Sequence, residues 1–205
     1  MGDGYANSKG VSLRVEGLTL VRGERLLVDK LSFALDAHSF AEIRGRNGSG
    51  KTTLLRAIAG YVRPKTGRIV LGGVEEPTLA MHYVGHLNAL KGAASVREHV
   101  QYWLGLFGVA GDPMTALERV GLARQAGLPA RALSQGQARR LALARLLTAP
   151  RLVWLLDEPA AGLDTQGRAL LADLIAAQVD GGGMVLAAIH EALGPAATLT
   201  LTVGP

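Results

Sequence analysis

The sequence contains no cysteine, which excludes a disulfide framework and any thiolate metal site and agrees with a cytosolic setting. Aromatic residues make up only 4% of the chain, too few for an aromatic recognition surface, so the core must rest on aliphatic side chains. There is no run of about 18 apolar residues that would cross a membrane. The most apolar stretch, residues 141–156, is broken by Arg145, Pro150 and Arg151. The chain is therefore expected to have no transmembrane segment of its own, and any membrane role must come through a partner. The first ten residues lack a basic stretch followed by an apolar core and do not read as a signal peptide. Ala6 stands where a myristoylation signal requires Ser or Thr. These residues are taken as a flexible start. Internal repeats and low-complexity tracts are also missing.

What remains is enough for one domain: 205 residues, 48% of them apolar and 19% charged, a composition that excludes a disordered chain. The 27 glycines favour tight turns. The net charge of +5 suits nucleic acid, anionic lipid or a phosphate ligand, and equally suits plain solubility.

Alternating apolar residues predict strands at 11–15, 18–21, 31–35 and 40–44, with a turn at Gly23-Glu24. Helical spacing follows over 52–59, with Gly60 as its stop, then a short strand at 68–71. Residues 86–131 change character. Helical segments at 96–107 and 113–120, with little strand signal, read as an all-helical insert. Residues 135–148 read as a basic amphipathic helix carrying Arg139, Arg140 and Arg145. The apolar runs 152–156 and 184–189 read as strands buried on both faces, separated by a helix at 167–178. This alternation predicts an α/β fold with a mostly parallel core sheet.

The strongest motif is Gly45-Arg46-Asn47-Gly48-Ser49-Gly50-Lys51-Thr52, a complete P-loop between a strand and a helix. Its glycines let backbone N–H groups curl around phosphate oxygens, and the helix behind it directs its positive end at the same anion. Lys51 is placed to reach the β- and γ-phosphates, and the Thr52 hydroxyl to ligate Mg²⁺. Thr53 completes the nucleotide-binding set. A P-loop alone says only that nucleotide phosphates bind.

The run Leu152-Val153-Trp154-Leu155-Leu156-Asp157-Glu158-Pro159 narrows the chemistry. An apolar strand ending in an acid is a Walker B element, with Asp157 holding Mg²⁺. Glu158, one residue on, faces the other way and can polarise the water that attacks the γ-phosphate.

Leu133-Ser134-Gln135-Gly136-Gln137, ahead of the basic helix, resembles the signature of ABC ATPases, with Gln135 where a second glycine is commonest. Taken alone, Ser134 reads as an ordinary helix N-cap. The resemblance spans residues 11 to about 193. It implies a P-loop ATPase with a mostly parallel core sheet, an antiparallel β-subdomain and a helical subdomain at about 86–135, all within one ATP-binding domain over 1–205. It also implies a homodimer closing head-to-tail on two ATPs, with Ser134, Gly136 and Gln137 serving the nucleotide of the opposite copy. Asp164, in Ala161-Gly162-Leu163-Asp164, matches the D-loop aspartate that touches that copy. His190, ending the last apolar strand, matches the switch histidine that bonds the γ-phosphate and orients water and glutamate.

Two positions depart from the family pattern. Leu20-Val21-Arg22 stands where many members stack an aromatic ring on adenine, leaving Arg22 as a candidate to hold the base. The usual Q-loop glutamine falls on His86, in Tyr83-Val84-Gly85-His86, where an imidazole can bond water or vary in charge. Gly-His at that point, in so short a chain, resembles the ATP-binding subunit of the bacterial cytochrome c maturation haem exporter, the CcmA type. That likeness implies a peripheral subunit on the cytoplasmic face of the inner membrane, paired with integral membrane permease subunits, with MgATP hydrolysis coupled to haem delivery. No direct contact with nucleic acid is expected. Other readings remain: the ATPase of a different small-cargo ABC transporter, a soluble ABC ATPase acting on nucleic acid or ribosomes, and a regulatory nucleotide-binding scaffold. The first two differ in partner. Against the third stand Lys51, Asp157, Glu158 and His190.

Overall fold

A computed structural model describes residues 10–204. The expectation of a flexible start falls, apart from Gly10, outside the described residues. The chain opens with two long antiparallel strands, β1 (Ser12–Arg22) and β2 (Arg25–Asp36), joined by the tight turn at Gly23-Glu24. It continues through β3 (Ser39–Arg44), helix α1 (Lys51–Ile58), β4 (Thr66–Gly72) and β5 (Met81–Val84). Helices α2 (Val96–Leu106), α3 (Pro113–Arg119) and α4 (Gln135–Ala144) follow. The last elements are β6 (Val153–Asp157), α5 (Thr165–Asp180), β7 (Met184–Ala188) and β8 (Leu199–Thr202).

The fold is α/β, with one parallel and one antiparallel sheet. Five strands form the parallel sheet in the order β5-β6-β7-β3-β8, and β2-β1-β4 form the antiparallel one. Strands β3, β6 and β7 are the apolar runs read from the sequence, and both of their faces are covered. Ala41, Ile43, Val153, Leu155, Met184 and Leu186 point to a core shared with α1 and the antiparallel sheet. Phe40, Trp154, Leu156, Val185 and Ala187 point the other way, against α5. Each of the larger side chains among these (Val, Leu, Ile, Met and Phe) contributes about 1.5–3 kcal/mol when removed from water. A third core, built on Val96, Val100, Trp103, Leu117 and Leu141, holds α2, α3 and α4 together.

Several elements differ from the sequence reading, and β2 starts at Arg25 where a strand was expected only over 31–35. The runs at 11–15 and 18–21 are one strand, kept continuous by register shifts after Val15. Helix α4 stops at Ala144 and tightens into a 3₁₀ turn over Arg145–Leu147. Strand β5 lies just ahead of the helical region, in residues to which the sequence reading gave no element, and β8 adds an edge strand to the tail, likewise given none. Both are four residues long with alternating burial, a signal too short to separate from loop. Among the described residues no helix is long and apolar enough to cross a membrane.

Candidate nucleotide site

The P-loop follows β3 and passes directly into α1. Its backbone needs left-handed geometry: Gly45 has φ 149°, and a side chain there would strike the Val203 carbonyl. Gly50 caps α1 without a side-chain hydrogen bond, so the first N–H groups of the helix meet no capping side chain and are available to an anion. The buried Lys51 folds back along the loop, its Nζ donating to the carbonyls of Gly45 at 2.7 Å and Arg46 at 3.2 Å. The ammonium thereby sits at the mouth of the loop that its own backbone forms.

Strand β6 lies beside α1 and delivers Asp157 to the hydroxyl of Thr52. Thr52 Oγ1 donates to Asp157 Oδ1 at 3.0 Å, while Asp157 Oδ2 is buried without a hydrogen-bond partner. Asp157 is 1% exposed, and burial pushes its carboxyl above the usual range, partly offset by the Thr52 hydrogen bond. A buried carboxylate oxygen with no donor, next to a hydroxyl, is a hard-oxygen pair suited to Mg²⁺.

The next residue turns sharply. Glu158 adopts φ 49°, and its N–H donates to Ala188 O of β7 at 3.0 Å. A left-handed non-glycine residue costs about 1–3 kcal/mol and persists only where its surroundings hold it. The turn throws the carboxylate between two imidazoles. His86 Nδ1 lies 3.2 Å from Oε2, and His190 Nε2 lies 3.4 Å from Oε1. Two histidines more than a hundred residues apart in the chain thus meet on one carboxylate.

A cleft of about 980 Å³ contains Asn47, Gly48, Gly50, Lys51, Thr52, Thr53, Asp157, Glu158 and His86 along its walls. Its far wall is Val21, Arg22, Arg25, Leu27 and Val62, and among the described residues Tyr83 is the one Phe, Tyr or Trp lining it. His190 lies in a hollow on the other side of Glu158. Gly45, Arg46 and Ser49 form the body of the loop, not the cleft wall.

Ser134, Gly136, Gln137 and Asp164 do not line the cleft. Ser134 and Gln137 form a reciprocal capping box at the start of α4, with Ser134 Oγ accepting from Gln137 N and Gln137 Oε1 accepting from Ser134 N. Gly136 packs against the Gly162 carbonyl, where a Cβ would come within 3.0 Å. Asp164 caps α5 by accepting from Gly167 N at 2.7 Å.

Sequence reasoning overlooked Arg139. It is 2% exposed, although read as part of a basic helix face, and its guanidinium is bonded to carbonyls of the β6 corner and of the segment after β5. Its i, i+4 spacing from the fully buried Leu143 placed it on the apolar face of α4, a signal available from the sequence.

Phosphate loop, strand-end carboxylates and a histidine at the end of β7, carried on a parallel sheet with a helical region beside it, define an ABC-type ATPase. Residues 28–161 match the family model described as ABC transporter. The chain is 43% identical, over 92% of its length and 96% of the relative, to the cytochrome c biogenesis ATP-binding export protein CcmA of Rhizobium meliloti. It is 44% identical to the protein of the same name from Agrobacterium fabrum, over 90% and 91% of the two chains. A putative ABC transporter ATP-binding protein from Pyrococcus furiosus shares the fold at TM-score 0.82 and 22% identity, covering 94% of this chain and 97% of its own. The chain belongs to the ABC transporter ATP-binding family and, within it, to the CcmA type.

Proposed function

We propose that this chain couples ATP hydrolysis to haem delivery for cytochrome c assembly, as a peripheral subunit on the cytoplasmic face of the inner membrane bound to integral membrane permease subunits. The export half of that reading draws on the relatives, which are named as cytochrome c biogenesis export proteins and match this chain over nine-tenths of its length. The ATPase half rests on one observation, the convergence of Lys51, Thr52, Asp157 and Glu158 on a single cleft.

In the proposed mechanism the loop N–H groups and Lys51 hold the β- and γ-phosphates of ATP. Thr52 and the free Oδ2 of Asp157 would hold Mg²⁺, which supplies charge neutralisation between the phosphates. Glu158 accepts the proton of the attacking water. Its two oxygens are steadied by His86 and His190, so the carboxylate is fixed before water arrives. Ser134, Gly136, Gln137 and Asp164 sit outside this cleft because they serve the nucleotide of a second copy in a head-to-tail homodimer.

Purification of the tagged chain from its native membranes tests the reading. Recovery of cytochrome c maturation membrane subunits supports it, and recovery of an unrelated permease overturns the cargo. A deletion strain is expected to lose its c-type cytochromes, and normal levels would count against the pathway.

A further inference from the structure

Among the described residues, Arg139 is the most deeply buried cation, and no carboxylate forms an ion pair with it. Its Nε donates to Pro159 O at 3.0 Å, and Nη2 donates to Asp157 O at 3.0 Å and Glu158 O at 2.8 Å. Nη1 donates to Gly85 O at 2.8 Å and to Asn88 Oδ1 at 3.1 Å, with His86 O at 3.5 Å. One planar fork therefore spans the β6 corner and the segment after β5. Burial lowers the pKa of this guanidinium, and the charges of Asp157 and Glu158 act against that. A buried cation is tolerated only when its donors are all matched.

Both segments that it grips carry a strained backbone. Glu158 at φ 49° and Ala89 at φ 53° are left-handed without being glycine. Arg139 accepts no alternative geometry from either, because a guanidinium presents its donors at fixed angles. It stands one turn into α4, whose start is closed by the partly exposed capping box of Ser134 and Gln137.

We infer that Arg139 is a positioning residue that ties the start of α4 to both Glu158 and His86, so that a displacement of α4 moves the water-activating carboxylate and its histidine together. The inference rests on the reading of Glu158 as the base and of Ser134–Gln137 as the surface serving a second copy. A lysine cannot replace the fork, since one ammonium has three donors radiating from a point.

The test uses the full chain with Arg139→Lys and Arg139→Gln. Amide exchange is expected to rise roughly tenfold or more in residues 85–89 and 158–162 together, while β7 stays protected. Turnover is expected to fall by roughly tenfold, with the ATP dissociation constant changed by less than about twofold. In a Glu158→Gln background, Arg139→Lys should cost nothing further. Unchanged exchange in either segment overturns the inference. So does equal loosening of β7, which would make the residue part of general packing. Should Glu158→Gln alone leave turnover intact, the base assignment fails while the exchange experiment still decides the tie. Where neither variant folds, the wild-type chain answers: opening of 85–89, 158–162 and the first turn of α4 should follow one common free energy, and three separate ones would contradict the tie.

Discussion

Asp157 is buried in a shell that gives one of its carboxylate oxygens no hydrogen-bond partner. Burial has raised its folded pKa above the unfolded value of 3.8. Its effect on stability is therefore most favourable below that value and becomes a penalty as pH rises through the folded pKa. Asp157→Asn removes the penalty and keeps an acceptor for Thr52. The nucleotide-free variant is expected to melt above wild type at pH 7 but to lose the extra stabilisation that Mg²⁺ adds to ATP, both read by thermal denaturation. A lower melting temperature would contradict this. At the opposite wall, Arg22 and Arg25 pair across the β1–β2 turn and line the cleft beside Val21, Leu27 and Val62. Guanidinium stacking on a base contributes about 0.5–2 kcal/mol and discriminates poorly between purines. Replacing both arginines by alanine should raise KM for ATP by roughly 3–30-fold with kcat little changed. GTP should be turned over within about an order of magnitude of ATP. Strict ATP specificity in steady-state assays would show that the base is read elsewhere.

Among the elements, β5, like β8, was hidden from the sequence. Its His82 is buried against Phe107 and bonds Ala149 O through Nε2 at 3.0 Å. Burial pushes this imidazole down to about 4, with the hydrogen bond to Ala149 opposing and the charges of Arg151 and Arg145 adding. Because the folded pKa is depressed below the ordinary imidazole value of 6.5, the neutral ring's contribution is complete above that value. It is lost as pH falls through the folded one. The chain should lose roughly 3 kcal/mol of unfolding free energy across that window. His82→Gln should lack this part of the pH slope in urea denaturation. An identical slope in the variant would place the proton elsewhere.

The same strand shows where sequence reading stops. The P-loop, the Walker B strand and their carboxylates are contiguous runs whose chemistry demands particular residues in order, so they are legible without a structure. Four residues such as Met81–Val84 become a strand only because β6 offers a parallel edge, which is tertiary information. Helix boundaries were legible for α2 and α3, where Ser95 and Asp112 cap the first turns. Arg139 was misjudged because a charge within a polar helix ordinarily faces water. Its acceptors come from segments some 18 to 54 residues away. The approach of His86 and His190 to opposite oxygens of Glu158 likewise follows from sheet order, since β5, β6 and β7 are adjacent.

At the scale of the whole molecule, the cleft is one-sided. The P-loop and carboxylates line it, while the partly exposed capping box of α4 and the exposed cap of α5 lie outside it. A head-to-tail pair would bring the second copy's signature to the open side. With Glu158→Gln, ATP and Mg²⁺, light scattering should give a mass twice the 21.4 kDa of one chain. A particle that stays at one chain with nucleotide fully bound would argue against a shared site.

The central claim, that this fold hydrolyses ATP through Glu158, is tested most directly by phosphate release. Wild type and Glu158→Gln would be compared at saturating ATP and Mg²⁺, with bound nucleotide quantified in the same samples. Loss of a general base predicts a fall of roughly 10²–10⁴-fold in turnover at unchanged nucleotide occupancy. Equal turnover by the two proteins would contradict the account.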